Sequence, residues 1–167
     1  MKYIVFDIDG VLADCSHRLH YIQGDNKDYD KFYSDEEILK DKALGSGFIL
    51  FRSILYLLED INTPSRLRNR EEIRLALITA RNRRCAKATA DWFLDNMRRF
   101  QKDRFKCNFF MRPEKDWRPA YQVKEDMINS HIGFENILFA FDDDDKINEM
   151  YKKHGVTCYK PNITNIV

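Results

Sequence analysis

The strongest constraint on the fold lies in residues 1–14, where a short apolar run ends in a pair of aspartates. Residues 3–6 are β-branched or aromatic, which is typical of a buried strand, and Gly10 allows a sharp turn after it. Asp7 and Asp9 therefore lie at the carboxyl end of a strand, the edge where open α/β sheets bind ligands. Because alternate residues of an extended segment point the same way, the two carboxylates can share a hard cation such as Mg²⁺. One can then act as a nucleophile and the other as an acid and base.

The composition is that of one globular domain of 167 residues, large enough to bury its own core. A hydrophobic fraction of 44% excludes a disordered chain, and no run approaches the roughly 18 apolar residues of a membrane span. The four cysteines are far apart and fit neither a zinc site nor a disulfide framework. The net charge of +1 gives no global attraction to nucleic acid. With no signal-peptide pattern at the amino terminus, a cytoplasmic location without membrane contact is expected.

The second and third predicted strands lead into residues that suit phosphate chemistry. Residues 73–78 form an apolar strand followed by Thr79, whose hydroxyl next to a helix start can bind a phosphoryl oxygen. A third strand is predicted over residues 105–111, and an apolar helix then opens at residue 123 and runs to residue 132. Lys124 lies at the start of that helix, and an ammonium placed beside the two aspartates would neutralise a nucleophile and phosphoryl oxygens.

The fourth predicted strand, residues 136–141, ends in a run of aspartates at residues 142–145. Adjacent carboxylates repel one another unless a positive charge lies among them. A strand end facing Asp7 would place Mg²⁺, the expected cofactor, among these carboxylates, with Asp142 as the predicted metal ligand and Asp143 as the second. The last two aspartates are expected to begin the next helix, whose amino terminus favours negative charge.

Helices alternate with these strands throughout the chain. The remaining predicted elements are helices over residues 46–60, with Ser46 as N-cap, 82–100 and 147–154, and a fifth strand over residues 156–159. Alternation of this kind predicts an α/β fold, with a mostly parallel five-stranded sheet flanked by helices.

The motif Asp7-x-Asp9-Gly-Val-Leu resembles motif I of the haloacid dehalogenase (HAD) superfamily, and Thr79, Lys124 and Asp142 fit its motifs II, III and IV in order. The resemblance implies a Rossmann-like HAD core in a single domain, residues 1–167. It also implies a small helical cap inserted between strands 1 and 2, roughly at residues 15–43. Most members of the superfamily transfer phosphoryl groups through an aspartyl phosphate. The resemblance assigns the cation to the carboxylates of Asp7 and Asp142 and to the main-chain carbonyl of Asp9.

A narrower resemblance is carried by the pattern Met-Arg-x-x-x-Asp-x-Arg at residues 111–118, followed by Val-Lys. This pattern resembles the 3'-phosphatase domain of polynucleotide kinase-phosphatases, as does His-Arg-Leu-His at residues 17–20. That resemblance implies that Arg112 and Arg118 engage the substrate and that Asp116 orients them.

Further candidate substrate-binding residues are His17, Arg18 and Arg81, the first two as ligands of a substrate phosphate or base. Four aromatic residues of the predicted cap could either stack on a nucleobase or form the core of the cap; they are Tyr21, Tyr29, Phe32 and Tyr33. A loop with arginines at residues 66, 68 and 70 could either track a phosphate backbone or be an ordinary solvated loop.

The predicted activity is Mg²⁺-dependent hydrolysis of a phosphate monoester through an aspartyl-phosphate intermediate. The favoured substrate is a nucleic acid with a 3'-phosphate end, and this choice rests on the family resemblance. A 5'- or 3'-nucleotidase acting on free mononucleotides is one alternative, and a non-catalytic module that binds nucleic acid ends is another. No Gly-x-x-x-x-Gly-Lys-Ser/Thr loop occurs, so 5'-phosphorylation would need a separate kinase, and a ligase is a further possible partner.

Overall fold

A five-stranded sheet with the strand order β5-β4-β1-β6-β7 lies at the centre of the molecule. The computed structural model describes residues 1–63, 71–98 and 107–161. The strands are β1 (Lys2–Phe6), β2 (Ala13–Asp14), β3 (Lys42–Ala43), β4 (Ile73–Asn82), β5 (Cys107–Arg112), β6 (Ile137–Phe141) and β7 (Cys158–Tyr159). The helices are α1 (Tyr29–Phe32), α2 (Asp35–Leu39), α3 (Gly45–Ile61), α4 (Ala86–Arg98), α5 (Ala120–His131) and α6 (Asp145–Lys153), with 3-10 turns at Ser16–Ile22, Arg83–Cys85 and Phe134–Asn136.

All neighbouring strands of the five-stranded sheet pair in parallel, which confirms the predicted fold class. The chain proceeds from β1 outward through β4 to β5 and then returns to the other side of β1 as β6. The strand order therefore reverses at β1, and its carboxyl end opens into the crevice where such sheets bind ligands.

The two faces of the sheet are covered by different pairs of helices. Phe6 of β1 packs in one core with residues of α3 and α4, whereas the neighbouring Val5 packs in a second core with residues of α5 and α6. Opposite faces for consecutive residues follow from the alternation of a strand. Since both faces of β1 are buried, its carboxyl end is held in place from two sides.

Helix α3 begins one residue before the predicted N-cap, so the assignment of Ser46 as N-cap is wrong. The N-cap is Leu44, which provides no side-chain cap. Its main-chain N–H instead donates to the carbonyl of Leu12 at 2.8 Å, a contact that fixes where the helix starts. Ile49 and Leu57, predicted on the apolar surface of this helix, are 63% and 55% exposed.

Strand β4 runs on to Asn82, beyond the predicted end at residue 78, because Asn82 still pairs with Arg112 of β5 after a shift in register. Thr79 therefore lies within the strand. The prediction that it lies next to the start of a helix is wrong. Helix α4 begins only at Ala86, after a 3-10 turn whose first residue follows the Asn82 cap. The predicted helix end at residue 100, the start of the third strand at residue 105 and the arginines of residues 66–70 lie outside the described residues.

Residues 15–43, the predicted cap, contain a 3-10 turn, the short helices α1 and α2, and strand β3, which pairs antiparallel with β2. Phe32 is buried in this insertion, and Ile38 of α2 packs with Cys85, Ala88 and Met111 of the domain beneath it. The insertion therefore lies against the region where β4 and β5 end. No helix in the described part of the chain has the length and apolar character needed to cross a bilayer.

Candidate active site

Three carboxylates meet at the carboxyl end of the sheet. Asp7 follows β1, and Asp142 and Asp143 follow its parallel neighbour β6; one oxygen from each of the three lies within 4.8 Å of the others. The main-chain N–H of Asp7 donates to the carbonyl of Phe141 at 2.9 Å, so strand pairing itself brings the two aspartate positions together. The helix α6 that follows is capped by Asp144, whose carboxylate accepts from the N–H groups of Lys146 and Ile147.

Lys124 lies between two of these carboxylates. Its Nζ is 3.0 Å from Oδ1 of Asp7 and 2.6 Å from Oδ2 of Asp142, and its side chain is wholly buried. Helix α5 begins at Ala120, so Lys124 is in its second turn, and Val123 and Met127 beside it anchor the helix in the core. Burial lowers the pKa of Lys124, but the charges of Asp142 and Asp7 outweigh that effect and raise it above its ordinary value. The ammonium is therefore charged at neutral pH.

The donor set of this cluster fits a divalent cation with a preference for oxygen. Three carboxylates and one ammonium leave two negative charges, the complement of Mg²⁺. Oδ1 of Asp7 is buried and accepts no hydrogen bond of good geometry, although Lys124 is within ion-pair distance of it. Burial, followed by the charge of Asp142, raises the pKa of Asp143 to about 6. An additional positive charge would relieve both the unsatisfied oxygen and the repulsion.

The carboxylate of Asp9 lies apart from this cluster and pairs with two arginines. Nη2 of Arg18 donates to its Oδ1 at 2.8 Å, and Nη2 of Arg81 donates to the same oxygen at 2.7 Å. Both guanidinium groups are fully buried, whereas the Asp9 side chain is 27% exposed. Burial raises the pKa of Asp9, but the charges of Arg81 and Arg18 outweigh it and hold the pKa below its ordinary value. Two predicted substrate ligands, Arg18 and Arg81, thus contact a predicted catalytic group.

Asp41, which the sequence reasoning missed, completes this group. Its Oδ1 accepts from Nε of Arg18 at 2.8 Å and its Oδ2 from Nη2 of Arg81 at 2.5 Å, and its side chain has no exposed surface. The indole N–H of Trp92 donates to its main-chain carbonyl at 2.7 Å. Asp41 follows three other acidic residues, at positions 35–37, and nothing in its spacing singles it out. We call Asp9, Arg18, Asp41 and Arg81 the buried charge network.

Thr79 and His17 lie at the border of this network. Thr79 is fully buried, and its hydroxyl oxygen accepts the main-chain N–H of Arg81 at 3.2 Å. His17 is more exposed; its Nε2 is 3.2 Å from the carbonyl oxygen of Glu37, and its Nδ1 is 3.8 Å from Oδ1 of Asp41. Both predicted residues are therefore close to the site, each engaged with protein groups.

Arg112 holds the loop that follows β5. Its Nε donates to the carbonyl of Ala80 at 2.8 Å, and its Nη1 donates to the carbonyls of Asp116 and Arg118 at 3.0 and 2.7 Å. The carboxylate of Asp116 instead accepts from Nη2 of Arg118 at 2.6 Å, and this hydrogen bond lowers the pKa of Asp116 to about 2. Arg118 also donates to Asp126, and half of its side chain is exposed. Of the two predicted arginines, Arg112 shapes the loop and Arg118 lies on its surface.

Solved structures of other proteins share the fold of this chain. A chain of the Pnkp1/Rnl/Hen1 RNA repair complex superimposes with a TM-score of 0.67 at 16% identity, over 99% of this chain and 43% of that one. The HAD-like hydrolase SP0104 from Streptococcus pneumoniae gives a TM-score of 0.57 at 12% identity, over 96% of this chain and 84% of that one. The magnesium complex of the HAD enzyme bt-2542 from Bacteroides thetaiotaomicron gives 0.50 at 16% identity, over 99% and 96%. Identities this low show a shared fold alone.

Residues 57–165 match the family described as the polynucleotide kinase PNKP phosphatase domain, and this chain belongs to that family. The matched segment includes Lys124 and Asp142 and begins after Asp7 and Asp9. The chain spans less than half the length of the RNA repair chain that it superimposes on. A comparison with curated protein sequences found no match.

Proposed function

We propose that this chain is a Mg²⁺-dependent polynucleotide 3'-phosphatase that works through an aspartyl-phosphate intermediate. One observation carries the proposal: the buried, unsatisfied oxygen of Asp7 lies next to Lys124 and two further carboxylates. A carboxylate with a free oxygen, beside positive charge, is what a nucleophile for phosphorus requires. Membership of the PNKP phosphatase family supports the substrate class.

The cation in this proposal is held by the carboxylates of Asp7, Asp142 and Asp143 and by the main-chain carbonyl of Asp9. The chemistry supplied by bound Mg²⁺ is neutralisation of charge on the phosphoryl oxygens. Uncatalysed hydrolysis of phosphate monoesters is so slow that the site must lower the barrier by roughly 20 kcal/mol or more. Lys124 contributes a fixed positive charge to the same oxygens, and the hydroxyl of Thr79 donates to one of them.

Two displacements follow from this arrangement. In the first, the Asp7 carboxylate forms a bond to phosphorus while the bond to the leaving oxygen breaks and Asp9 gives that oxygen a proton. In the second, Asp9 takes a proton from a water molecule whose oxygen forms a bond to phosphorus, the bond between Asp7 and phosphorus breaks, inorganic phosphate is released and the Asp7 carboxylate is regenerated. The guanidinium groups of Arg18 and Arg81, which donate to Asp9, also attract the substrate phosphate. When the phosphate is bound, they interact less strongly with the Asp9 carboxylate, and this favours the protonated form of Asp9.

The remaining predicted substrate residues have supporting parts in the proposal. In this proposal His17 and Arg118 contact the incoming nucleic acid, Arg112 shapes the loop after β5, and Asp116 orients Arg118. The similarity to a chain of an RNA repair complex supports a role beside end-processing partners such as a kinase or ligase. A cytoplasmic location belongs to the same proposal.

The test is phosphate release in the presence of Mg²⁺ from matched oligonucleotides with a 3'- or a 5'-phosphate and from 3'- and 5'-mononucleotides. The proposal expects strong preference for the 3'-phosphorylated oligonucleotide and no release by Asp7→Asn. Asp145→Asn is a matched control, because this exposed aspartate belongs to the same acidic run but pairs with Lys160 on the surface. Preference for a mononucleotide would support the proposed reaction but contradict the proposed substrate. Absence of phosphate release from all four compounds would overturn the proposal.

A further inference from the structure

Trp117 is the most exposed large aromatic side chain of residues 1–63, 71–98 and 107–161, with 61% of its surface accessible. Large rings gain free energy when they are covered, so an exposed tryptophan in a fixed position is typical of a contact surface. Trp92, by contrast, is only 3% exposed and lies in the core.

The main chain around Trp117 is held firmly. The two carbonyls that accept from Nη1 of Arg112 belong to Asp116 and Arg118, the residues on either side of Trp117. The N–H of Arg118 in turn donates to the carboxylate of Asp116 at 3.1 Å. The indole is therefore presented to solvent on an ordered loop, which reduces the entropy lost when a ligand covers it.

The surroundings of Trp117 combine aromatic and positive groups. The ring of Tyr29 lies 5.7 Å from it at an angle of 53°. Trp117 separates two open surface depressions, one lined by Lys115 with its neighbours in the loop and the other by residues 26–30 of the insertion.

The side chains that line the two depressions carry three positive and three negative charges, and the three acidic ones are engaged within the protein. The acidic groups Asp116 and Asp30 are paired with Arg118 and Arg84, whereas Asp28 caps α1. Within the described ranges, no carboxylate pairs with Lys115, and none pairs with Lys27, which lines the second depression.

The loop also adjoins the candidate active site. Nε of Arg112 donates to the carbonyl of Ala80, and the next residue, Arg81, donates to Asp9. Trp117 therefore lies in a loop that hydrogen bonds tie to the β4–β5 side of the same sheet edge. Aromatic rings beside unpaired lysines are the combination by which proteins bind single-stranded nucleic acid without reading its sequence.

We propose that Trp117, supported by Tyr29, stacks against a nucleobase upstream of the strand end that enters the Asp7 site, and that Lys115 and Lys27 contact the neighbouring phosphates. The inference rests on the proposed function for its substrate class and adds a binding site for the polynucleotide body. Its consequence is preference for an oligonucleotide over a mononucleotide, because a single nucleotide in the active site has no upstream base to stack.

Binding without hydrolysis tests this inference directly. The probe is a labelled single strand of about eight nucleotides with a 3'-hydroxyl end, titrated in EDTA and followed by fluorescence anisotropy and by tryptophan emission. We expect quenching of the emission, because Trp92 is buried and Trp117 is the accessible indole. Trp117→Ala should weaken binding roughly tenfold or more, whereas Trp117→Phe should retain most of the affinity. Tyr56→Ala is the matched control, since Tyr56 on α3 is 51% exposed and should leave binding unchanged.

A second strand of the same length with abasic sugars separates stacking from charge. Stacking requires that Trp117→Ala lose its effect on this strand; an equal loss on both strands, or no loss and no quenching, would overturn the inference. If there were no loss of binding and no quenching, we would conclude that the exposed ring of Trp117 contacts a protein partner. The two proposals can be distinguished by their failures. Quenching without phosphate release would support the base-stacking site and contradict the phosphatase activity. Phosphate release without quenching would support the activity and contradict the base-stacking site.

Discussion

At the scale of single residues, the buried charge network explains how four charged side chains remain in the interior. Arg18 and Arg81 each contact both Asp9 and Asp41, so two positive charges balance two negative ones. A buried charge costs several kcal/mol unless it is paired and hydrogen-bonded. Each member is therefore needed by the other three, and Asp9 receives a fixed orientation from the arrangement.

Removing Asp41 should uncouple this network. In Asp41→Asn the arginines keep only Asp9 as a charged partner, and we expect unfolding to become easier by about 3 kcal/mol, as when one partner of a buried pair is lost. The phosphatase kcat should fall as well, because Asp9 and both arginines lose their common anchor. Urea denaturation and phosphate release measure the two effects. Asp25→Asn, an exposed aspartate of the same insertion, should change stability by less than about 0.5 kcal/mol. Equal urea midpoints for Asp41→Asn and the wild type would contradict this account.

At the scale of elements, helix α3 holds the loop that carries Asp9. A Cβ added to Gly47 would lie 1.8 Å from the carbonyl oxygen of Val11, so the helix approaches the loop as closely as a glycine permits. The N–H of Leu44 donates to Leu12 in the same loop. Gly47 is thus required because a larger residue would not fit between helix α3 and the loop that carries Asp9.

Two alanine substitutions in the first turn of α3 should therefore differ sharply. Gly47→Ala forces the loop or the helix to move, and we expect a loss of about 1–3 kcal/mol together with reduced activity. Gly45→Ala meets nothing within 4 Å and should be neutral or slightly stabilising, since alanine favours helix. Thermal unfolding of the two variants compares them directly, and a Gly47→Ala protein as stable as Gly45→Ala would show that the loop gives way without cost.

In the molecule as a whole, the sheet edge brings together carboxylates whose negative charge the rest of the protein neutralises only in part. Lys124 offsets only one of the three carboxylates in the acidic cluster. A cation that binds only the folded chain should stabilise it by RT ln(1 + [Mg²⁺]/Kd).

We expect Mg²⁺ at about one hundred times its Kd to stabilise the fold by roughly 2.7 kcal/mol, and EDTA to reverse the effect. Asp142→Asn should lose most of this stabilisation because it removes a ligand, whereas Asp145→Asn should keep it. Differential scanning fluorimetry with and without Mg²⁺ measures the shift in Tm. A Tm that does not respond to Mg²⁺ in the wild type would argue against the metal site.

The amino-acid sequence was enough to predict a parallel sheet, the order of the motifs and the sheet edge that they share. Apolar runs alternating with amphipathic helices allow a parallel sheet, and in such a sheet the strand carboxyl ends share one edge. Asp7, Lys124 and Asp142 could for that reason be placed together from their positions after strands or at a helix start. In the structure, the pairing of β1 with β6 brings Asp7 next to Asp142, and α5 places Lys124 between them.

The partners of the remaining charged side chains could be identified only from the packed structure. Arg81 is separated from Asp9 by 72 residues and from Asp41 by 40, and no local pattern encodes which buried charges will balance one another. The start of α3 depends on a main-chain contact with Leu12, and the end of β4 depends on pairing with Arg112. The exposure of Trp117 likewise results from how Arg112 holds its loop. Each outcome depends on contacts between distant segments, whose geometry is fixed only when the layers pack.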